Sequence, residues 1–163
     1  DPNFAANRRV YLSFSEAGTG AENGTNGTSV WRAELSPSGT ALVNGTVIFR
    51  QRPKVNSAQH FGSRLVFARD GTLFVTLGDR GSRSTDAQDT SNHLGKVVRI
   101  RTDGTVPPDN PLVSTAGAAP EIWSWGHRNV QGAALHPGTG VLWGHEHGPA
   151  SGDALNICPD SRT

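Results

Sequence analysis

The stretch 59–81, Q-H-F-G-S-R-L-V-F-A-R-D-G-T-L-F-V-T-L-G-D-R-G, is the part of the chain around which the rest is organised. Two apolar runs flank Asp70-Gly71, and Asp-Gly between such runs is a strong signal for a β-hairpin turn. His60 precedes the first run and Asp79 follows the second. Because a hairpin brings its two open ends together, we expect His60 and Asp79 to lie at the same end. From these residues alone, a solvated loop histidine and a turn aspartate are the commoner arrangement.

The composition limits the class of protein. The chain has 163 residues, a formal net charge of +1, 20 glycines, 10 prolines and a single cysteine, Cys158. We expect one domain spanning 1–163, with no electrostatic basis for binding nucleic acid. One cysteine excludes an internal disulfide, and no run approaches the roughly 18 apolar residues of a membrane span. The opening Asp1-Pro2-Asn3-Phe4 is unlike a signal peptide and is typical of a mature or excised start.

Short apolar segments recur along the chain and are interrupted by turn residues. The predicted strands are 9–15, 30–35, 41–43, 46–50, 64–68, 72–77, 95–101, 121–125, 132–136, 141–145 and 154–157. Asn44-Gly45 is expected to form a turn between two of them, and 16–28 and 82–93 are expected to be loops. The segment V-P-P-D-N-P at 106–111 cannot be regular structure, because proline lacks a backbone donor. No stretch has a convincing helical period.

About ten short strands with regular turns favour a sandwich, a barrel or a propeller. The runs that begin at Arg64 and Gly132 resemble each other and lie about 68 residues apart, which suits one four-stranded blade with long loops. At that period the chain holds about two and a half to three blades, whereas a closed propeller needs about four to eight. The sequence therefore predicts an all-β fold that forms part of a β-propeller.

Polar side chains with possible chemistry fall in loops at the ends of these strands. Arg128 offers a planar set of donors for carboxylates or phosphates, and a salt bridge at a blade edge is the equal alternative. In an extended segment His145 and His147 would point to one side and Glu146 to the other. Such a pair could bind a transition metal, although a surface histidine pair is commoner. The sequence has no dinucleotide-binding or Walker motif, no G-x-S-x-G and no C-x-x-C.

Five motifs in a fixed order carry a family resemblance. They are the core stretch 59–81, L-G-K-V-V-R-I at 94–100, D-G-T-V-P-P-D-N-P at 103–111, G-H-R-N-V-Q-G at 126–132 and E-H-G-P at 146–149. Together they resemble the soluble quinoprotein sugar dehydrogenases, which oxidise aldoses such as glucose with pyrroloquinoline quinone (PQQ) and calcium. The resemblance covers 1–156 and leaves 157–163 as an atypical tail. It implies a six-bladed β-propeller, of which this chain would form part.

The resemblance also implies roles for individual residues. His60 would be the general base that takes the proton of the sugar C1 hydroxyl as hydride passes to the quinone, and Asp79 would line the substrate side. Arg128 and Asn129 would contact the PQQ. The backbone carbonyls of Gly148 and Pro149 would bind calcium, a cation that prefers oxygen ligands.

The family's members are about twice as long, so we expect a truncated, roughly half-length member that lacks the Lys and Arg cluster around the quinone carboxylates. An alternative is a metal-dependent hydrolase of the lactonase or phosphotriesterase type, which would use another divalent metal to activate water. Its candidate ligands are His60, His93, His127, His145, Glu146 and His147. A non-catalytic remnant is a third possibility.

The family resemblance and its hydrolase alternative also lead to expectations about substrate, assembly and location. The substrate would be an aldose sugar, or a lactone or phosphoester under the alternative. Location by resemblance would be periplasmic or secreted. Because an incomplete ring leaves unpaired flanks, we expect a homo-oligomer that completes the propeller.

Overall fold

The structure is a computed structural model that describes residues 1–150 and 152–159. Its strands are β1 (Arg9–Ala17), β2 (Asn26–Leu35), β3 (Leu42–Arg50), β4 (Leu65–Phe67), β5 (Leu73–Thr76), β6 (Lys96–Ile100), β7 (Ile122–Trp125), β8 (Val130–Leu135), β9 (Leu142–Glu146) and β10 (Ala154–Cys158). The helical segments are α1 (Phe4–Asn7) and two 3₁₀ turns at Gly20–Glu22 and Ser84–Gln88. The predicted all-β class is confirmed.

The strands form three antiparallel sheets, each built from consecutive strands. Their orders are β1-β2-β3, then β4-β5-β6-β7, then β8-β9-β10. Three successive meanders that pack in chain order are what a run of propeller blades requires. The number of sheets agrees with the two and a half to three blades expected from the sequence, and the middle sheet alone has four strands.

The middle sheet is buried on both faces and forms the centre of the molecule. One face packs against the first sheet in a cluster of Val30, Phe49, Leu73, Val75, Leu77, Val98 and Ile100. The other packs against the third sheet in a cluster of Phe74, Val97, Leu142 and Cys158. Because successive strand residues point to opposite faces, β5 supplies Leu73 and Val75 to one core and Phe74 to the other. Each fully buried side chain of this size contributes about 1.5–3 kcal/mol.

The hairpin predicted around Asp70-Gly71 is confirmed. β4 and β5 pair antiparallel, with Leu65 opposite Val75. Asp70 Oδ1 accepts the backbone N–H of Thr72 at 2.9 Å and its hydroxyl at 2.7 Å. Gly71 has φ +83°, a conformation that a residue with a Cβ rarely adopts. Local turn chemistry therefore fixes this hairpin.

The turn expected at Asn44-Gly45 is wrong. β3 includes both residues, but its register with β2 shifts there and Asn44 has φ +53°, so the two residues form a bulge rather than a turn. A Cβ on Gly45 would lie 2.1 Å from the Trp31 ring, so the glycine makes room for a tryptophan on the neighbouring strand. The turn between β2 and β3 instead lies at 36–41, where the N–H of Ser36 donates to the carbonyl of Ala41.

Two further boundaries differ from the sequence expectation. The loop expected at 16–28 is shorter, because β1 extends to Ala17 and β2 begins at Asn26. The expected tail 157–163 begins inside β10, which ends at Cys158, and 160–163 lie outside the described residues. Within 1–150 and 152–159, no helix has the length and apolar character needed to cross a membrane.

Candidate functional site

His60 and Asp79 meet at the open end of the β4–β5 hairpin. Nδ1 of His60 lies 2.6 Å from Oδ1 of Asp79, and that oxygen also accepts the N–H of Gly81 at 2.8 Å. The Asp79 side chain is 4% exposed and that of His60 is 15% exposed. The expectation that the two residues share one end of the hairpin is confirmed, whereas their catalytic roles stay predictions.

The backbone around His60 is unusual and tightly packed. His60 has φ +51°, in the left-handed region that few residues other than glycine adopt. Gly78 lies directly against it, since a Cβ there would fall 2.0 Å from the carbonyl oxygen of His60. A side chain at position 78 would therefore collide with the backbone of His60, and glycine at this position avoids the collision. This geometry aims the imidazole at Asp79.

A cleft of about 440 Å³ opens beside the pair. Its lining includes His60, Asp79, Gln88, His127, Arg128 and Pro149. Four of the six residues predicted by family resemblance therefore line one cleft. Asn129 and Gly148 are not part of its lining.

Asn129 lies behind the cleft and joins its two sides. It is 5% exposed, and its Oδ1 accepts the N–H of Gly62 at 3.1 Å. Gly78 forms a β-bridge with Asn129, and the N–H of Asp79 donates to the carbonyl of Arg128 at 2.8 Å. These bonds connect the hairpin that carries the His–Asp pair to the segment 127–129, which precedes the third sheet.

Glu146, at the end of β9, holds the segment 127–129. Its Oε2 accepts the N–H of Arg128 at 2.5 Å and the N–H of Asn129 at 3.2 Å. Burial alone would raise the pKa of Glu146, but bonds from His127 and these two N–H groups lower it. The carboxylate therefore stays ionised and anchors the backbone of both predicted PQQ contacts.

His127 is a buried cation beside this carboxylate. Its Nδ1 lies 3.4 Å from Oε1 of Glu146, and its Nε2 lies 2.8 Å from the hydroxyl of Ser124. Burial alone would lower the pKa of His127, but its contacts with Cys158 and Glu146 outweigh burial and raise the pKa to about 9. At neutral pH His127 thus adds positive charge to the wall of the cleft.

The Arg128 side chain reaches across the mouth of the cleft. Its Nη1 donates to the carbonyl of His147 at 2.9 Å. Pro149 follows two residues later and lines the same cleft, and its carbonyl accepts the N–H of Gly152 at 3.2 Å. A carbonyl oxygen has two lone pairs, so this one can bind a second partner besides Gly152.

Lys96 anchors the opposite wall. It is fully buried, and its ammonium donates to the carbonyls of Asp86, Ala87 and Leu94 at 2.9, 2.9 and 2.6 Å. Burial lowers the pKa of Lys96 to about 8. The 3₁₀ turn Ser84–Gln88, part of which lines the cleft, is therefore tied to β6. Sequence reasoning missed this lysine, because nothing local marks it as buried.

The six candidate ligands of the hydrolase alternative do not converge on one point, although His127 and Glu146 are in contact. His60 pairs with Asp79 and His127 with Glu146. His93 is buried between Glu121 and the Phe49 ring, and His147 contacts Gln131. His145 lies against Gly132 at a different cleft. In the part of the chain that the structure describes, no three His, Cys, Asp or Glu side chains are grouped to hold a metal.

Comparison with known proteins gives consistent matches over the whole chain. The model of the family described as Glucose / Sorbosone dehydrogenase matches residues 1–162. Aldose sugar dehydrogenase YliI of Escherichia coli (strain K12) is 45% identical over 156 residues, which cover 96% of this chain and 41% of that protein.

Solved structures give the same result. A crystal structure of glucose dehydrogenase has a TM-score of 0.91 and 53% identity, covering 98% of this chain and 45% of that one. The PQQ-bound form of aldose sugar dehydrogenase from Streptomyces coelicolor has a TM-score of 0.80 and 28% identity, covering 98% of this chain and 43% of that one. The chain therefore spans less than half of the length of these relatives.

Proposed function

The chain belongs to the glucose/sorbosone dehydrogenase family, and on that premise we propose that it carries the proton-abstracting part of a quinone-dependent aldose dehydrogenase site. The observation that carries the proposal is the His60–Asp79 pair, bonded at 2.6 Å and open to the cleft that Arg128 also lines. An aldose such as glucose is the proposed substrate, oxidised at C1.

Asp79 determines how His60 can act. Because the carboxylate accepts from Nδ1, the neutral imidazole carries its proton on Nδ1 and leaves the Nε2 lone pair free. Nε2 then takes the proton of the sugar C1 hydroxyl, and Asp79 stabilises the imidazolium that forms. Loss of this proton and of hydride from C1 converts the hemiacetal to a lactone. Pyrroloquinoline quinone, if bound beside Arg128, would supply the two-electron acceptor, and calcium held by the carbonyls of Gly148 and Pro149 would supply a Lewis acid.

The wall of the cleft fits a carboxylated, electron-accepting cofactor. Arg128 presents a guanidinium, and the raised pKa of His127 keeps a second cation in the same lining. The carbonyl of Pro149 is the kind of neutral oxygen that calcium accepts, and Gly148 would supply another. Asn129 fixes the backbone at this wall through Gly62. We propose that Arg128 binds the PQQ while Asn129 holds the backbone of this wall from behind the cleft, and that the carbonyl of Pro149, together with that of Gly148, binds calcium.

The first experiment titrates the chain with PQQ in the presence of calcium and follows quinone absorbance and glucose-dependent dye reduction. We expect weak binding, because Arg128 supplies the main fixed side-chain contact and a carboxylated quinone needs several. Arg128→Gln should abolish the binding. His60→Ala should keep it and lose turnover.

A chimera distinguishes a site that needs the unmatched part of a relative's chain from a wrong assignment of His60 as the base. The segment of Escherichia coli YliI that matches this chain is replaced by the chain itself, and the product is assayed with PQQ and calcium. We expect glucose oxidation in the chimera and its loss in the His60→Ala version. A folded chimera that binds PQQ but oxidises no aldose would contradict the proposal.

We also propose that the chain self-associates through its outer sheets. Leu155 and Ile157 on the edge strand β10 are 67% and 55% exposed, and Leu12 on the edge strand β1 is 51% exposed. Exposed apolar edges of this kind pair readily with another sheet. A second copy related by a two-fold axis would cover the same surfaces on both chains.

A further inference from the structure

Arg80 is a buried arginine directly beneath the His60 loop. It follows Asp79 in sequence, yet its side chain points away from the cleft and has no exposed surface. Its Nε donates to the carbonyl of Gln59 at 2.9 Å, and its Nη2 donates to the carbonyl of Ser57 at 2.5 Å. The guanidinium therefore binds the backbone that leads into His60.

The same guanidinium covers the residue that follows His60. Its central carbon lies 3.6 Å from the centroid of the Phe61 ring, a close cation–π contact. Nη2 also donates to Oδ1 of Asn26 at 2.5 Å, which ties the loop to the start of β2. The Ser57 hydroxyl also donates to the backbone carbonyl of Arg80 at 2.8 Å. Both sequence neighbours of His60 are thus held by one side chain.

Among residues 1–150 and 152–159, no carboxylate lies within ion-pair distance of the Arg80 guanidinium, and its Nη1 is buried without a hydrogen-bond partner. Burial lowers the pKa of Arg80, although a guanidinium remains charged. Burying a charge costs several kcal/mol, and an apolar residue of similar volume is often as stable or more so. Packing alone is therefore a poor account of an arginine at this position.

The conformation of His60 supplies the reason. A left-handed backbone at a residue with a Cβ costs of order 1 kcal/mol or more and persists only when its surroundings hold it. Arg80 holds it from both sides, at Gln59 and at Phe61. Asp79, the neighbour of Arg80, then receives Nδ1 of His60. One dipeptide thereby fixes both the backbone and the ring of the histidine.

We propose that Arg80 is a positioning residue for His60, holding its left-handed backbone so that the imidazole remains bonded to Asp79. The inference rests on the proposed function in naming His60 as the base. The orientation of the ring, however, can be measured without substrate or cofactor. Arg80 is buried and does not line the cleft, so we expect it to act through His60.

The experiment reads the ring of His60 by ¹H–¹⁵N spectroscopy of the chain, with the signals assigned by their loss in His60→Ala. Wild type should show the Nδ1-protonated tautomer with its N–H proton far downfield, as a short bond to a carboxylate requires. In Arg80→Met that proton should be lost or move upfield. Arg80→Lys keeps the charge but cannot reach three acceptors, and it should give the same change if Arg80→Met fails to fold.

Arg99→Met is the matched control. Arg99 is also a buried arginine, 6% exposed, but it pairs with Asp70 and Asp109 at the other end of the hairpin. Arg99→Met should destabilise the chain and leave the His60 ring signals in place. Unchanged ring signals in Arg80→Met or Arg80→Lys, or equal loss in Arg99→Met, would overturn the assignment. Absence of sugar oxidation in every variant would instead count against the proposed function and leave the ring measurement standing.

Discussion

The carboxylate of Glu146 accepts the backbone N–H of Arg128 at 2.5 Å, across the gap between the end of β9 and the segment before β8. The same oxygen accepts from Asn129. Sequence reasoning had placed Glu146 among metal ligands of a hydrolase, but its position is that of an anion bound to two consecutive N–H groups. Bonds of this kind to a charged acceptor contribute about 1.5–3 kcal/mol each.

Glu146→Gln should loosen the segment that carries Arg128 and weaken PQQ binding about 10-fold or more, since a charge-assisted bond becomes a neutral one. It should also lower the pKa of His127 from about 9, because the carboxylate that helps to raise it is gone. An NMR titration of His127 measures this. Glu22→Gln, on an exposed 3₁₀ turn, is the control. A His127 pKa that stays near 9 in Glu146→Gln would contradict the pairing.

Because the pKa of His127 is raised, we expect the free energy of unfolding to fall as pH rises. Its ordinary pKa of 6.5 is raised to about 9 in the folded chain, so the folded state binds its proton more tightly. The stabilisation is complete below pH 6.5 and is lost as pH rises through 9, on the order of 3 kcal/mol in all. Urea unfolding between pH 6.5 and 8 measures this decline. His127→Gln should remove it, and an unchanged slope in that variant would assign the decline elsewhere.

Because the pKa of Lys96 is lowered, we expect its contribution to stability to increase with pH, in a more alkaline range than that of His127. Burial lowers its pKa from 10.5 to about 8, so the unfolded chain binds the proton more tightly. Stability should therefore rise between pH 8 and 10.5. In Lys96→Met the rise should disappear, and amide exchange should quicken at Gly126, whose N–H is bonded to the carbonyl of Ala87. Lys54→Met, which removes an ion pair with Glu16, should keep the alkaline rise.

His60→Ala should lower aldose oxidation in the chimera about 10²–10⁴-fold, the usual range for a general base. His136→Ala is the control, because His136 lies at an exposed turn and contacts Thr139. Asp79→Asn should also reduce the rate, since the amide no longer stabilises the imidazolium. Full activity in His60→Ala would remove this histidine from the mechanism.

Self-association depends on the exposed face of β10. Leu155→Asp combined with Ile157→Asp should shift the chain to a monomer in light scattering, because charge on this face opposes pairing. Val113→Asp is the matched control, since Val113 is exposed in a loop outside the strands. A wild-type chain that is a stable monomer at micromolar concentration would refute the assembly.

The sequence by itself determined the local features. Asp70-Gly71 specified the hairpin through turn chemistry that involves only neighbouring residues, and continuous apolar runs specified the strands on either side. Because one hairpin has one open end, the meeting of His60 and Asp79 followed from the order of residues. The five motifs that indicate the family were likewise identified from the sequence alone.

Only the tertiary structure decided which polar side chains are buried and what they bind. Asn44-Gly45 has a strong turn signal, yet it forms a bulge inside β3, where Gly45 packs against the ring of Trp31 on the neighbouring strand. Nothing in the local sequence marks Arg80 and Lys96 as buried, and their acceptors are carbonyls brought together by folding. Glu146 finds its partners on a separate loop. The physical reason is that a charged side chain is stable in the interior only where several acceptors or donors converge, and that convergence depends on how the sheets pack.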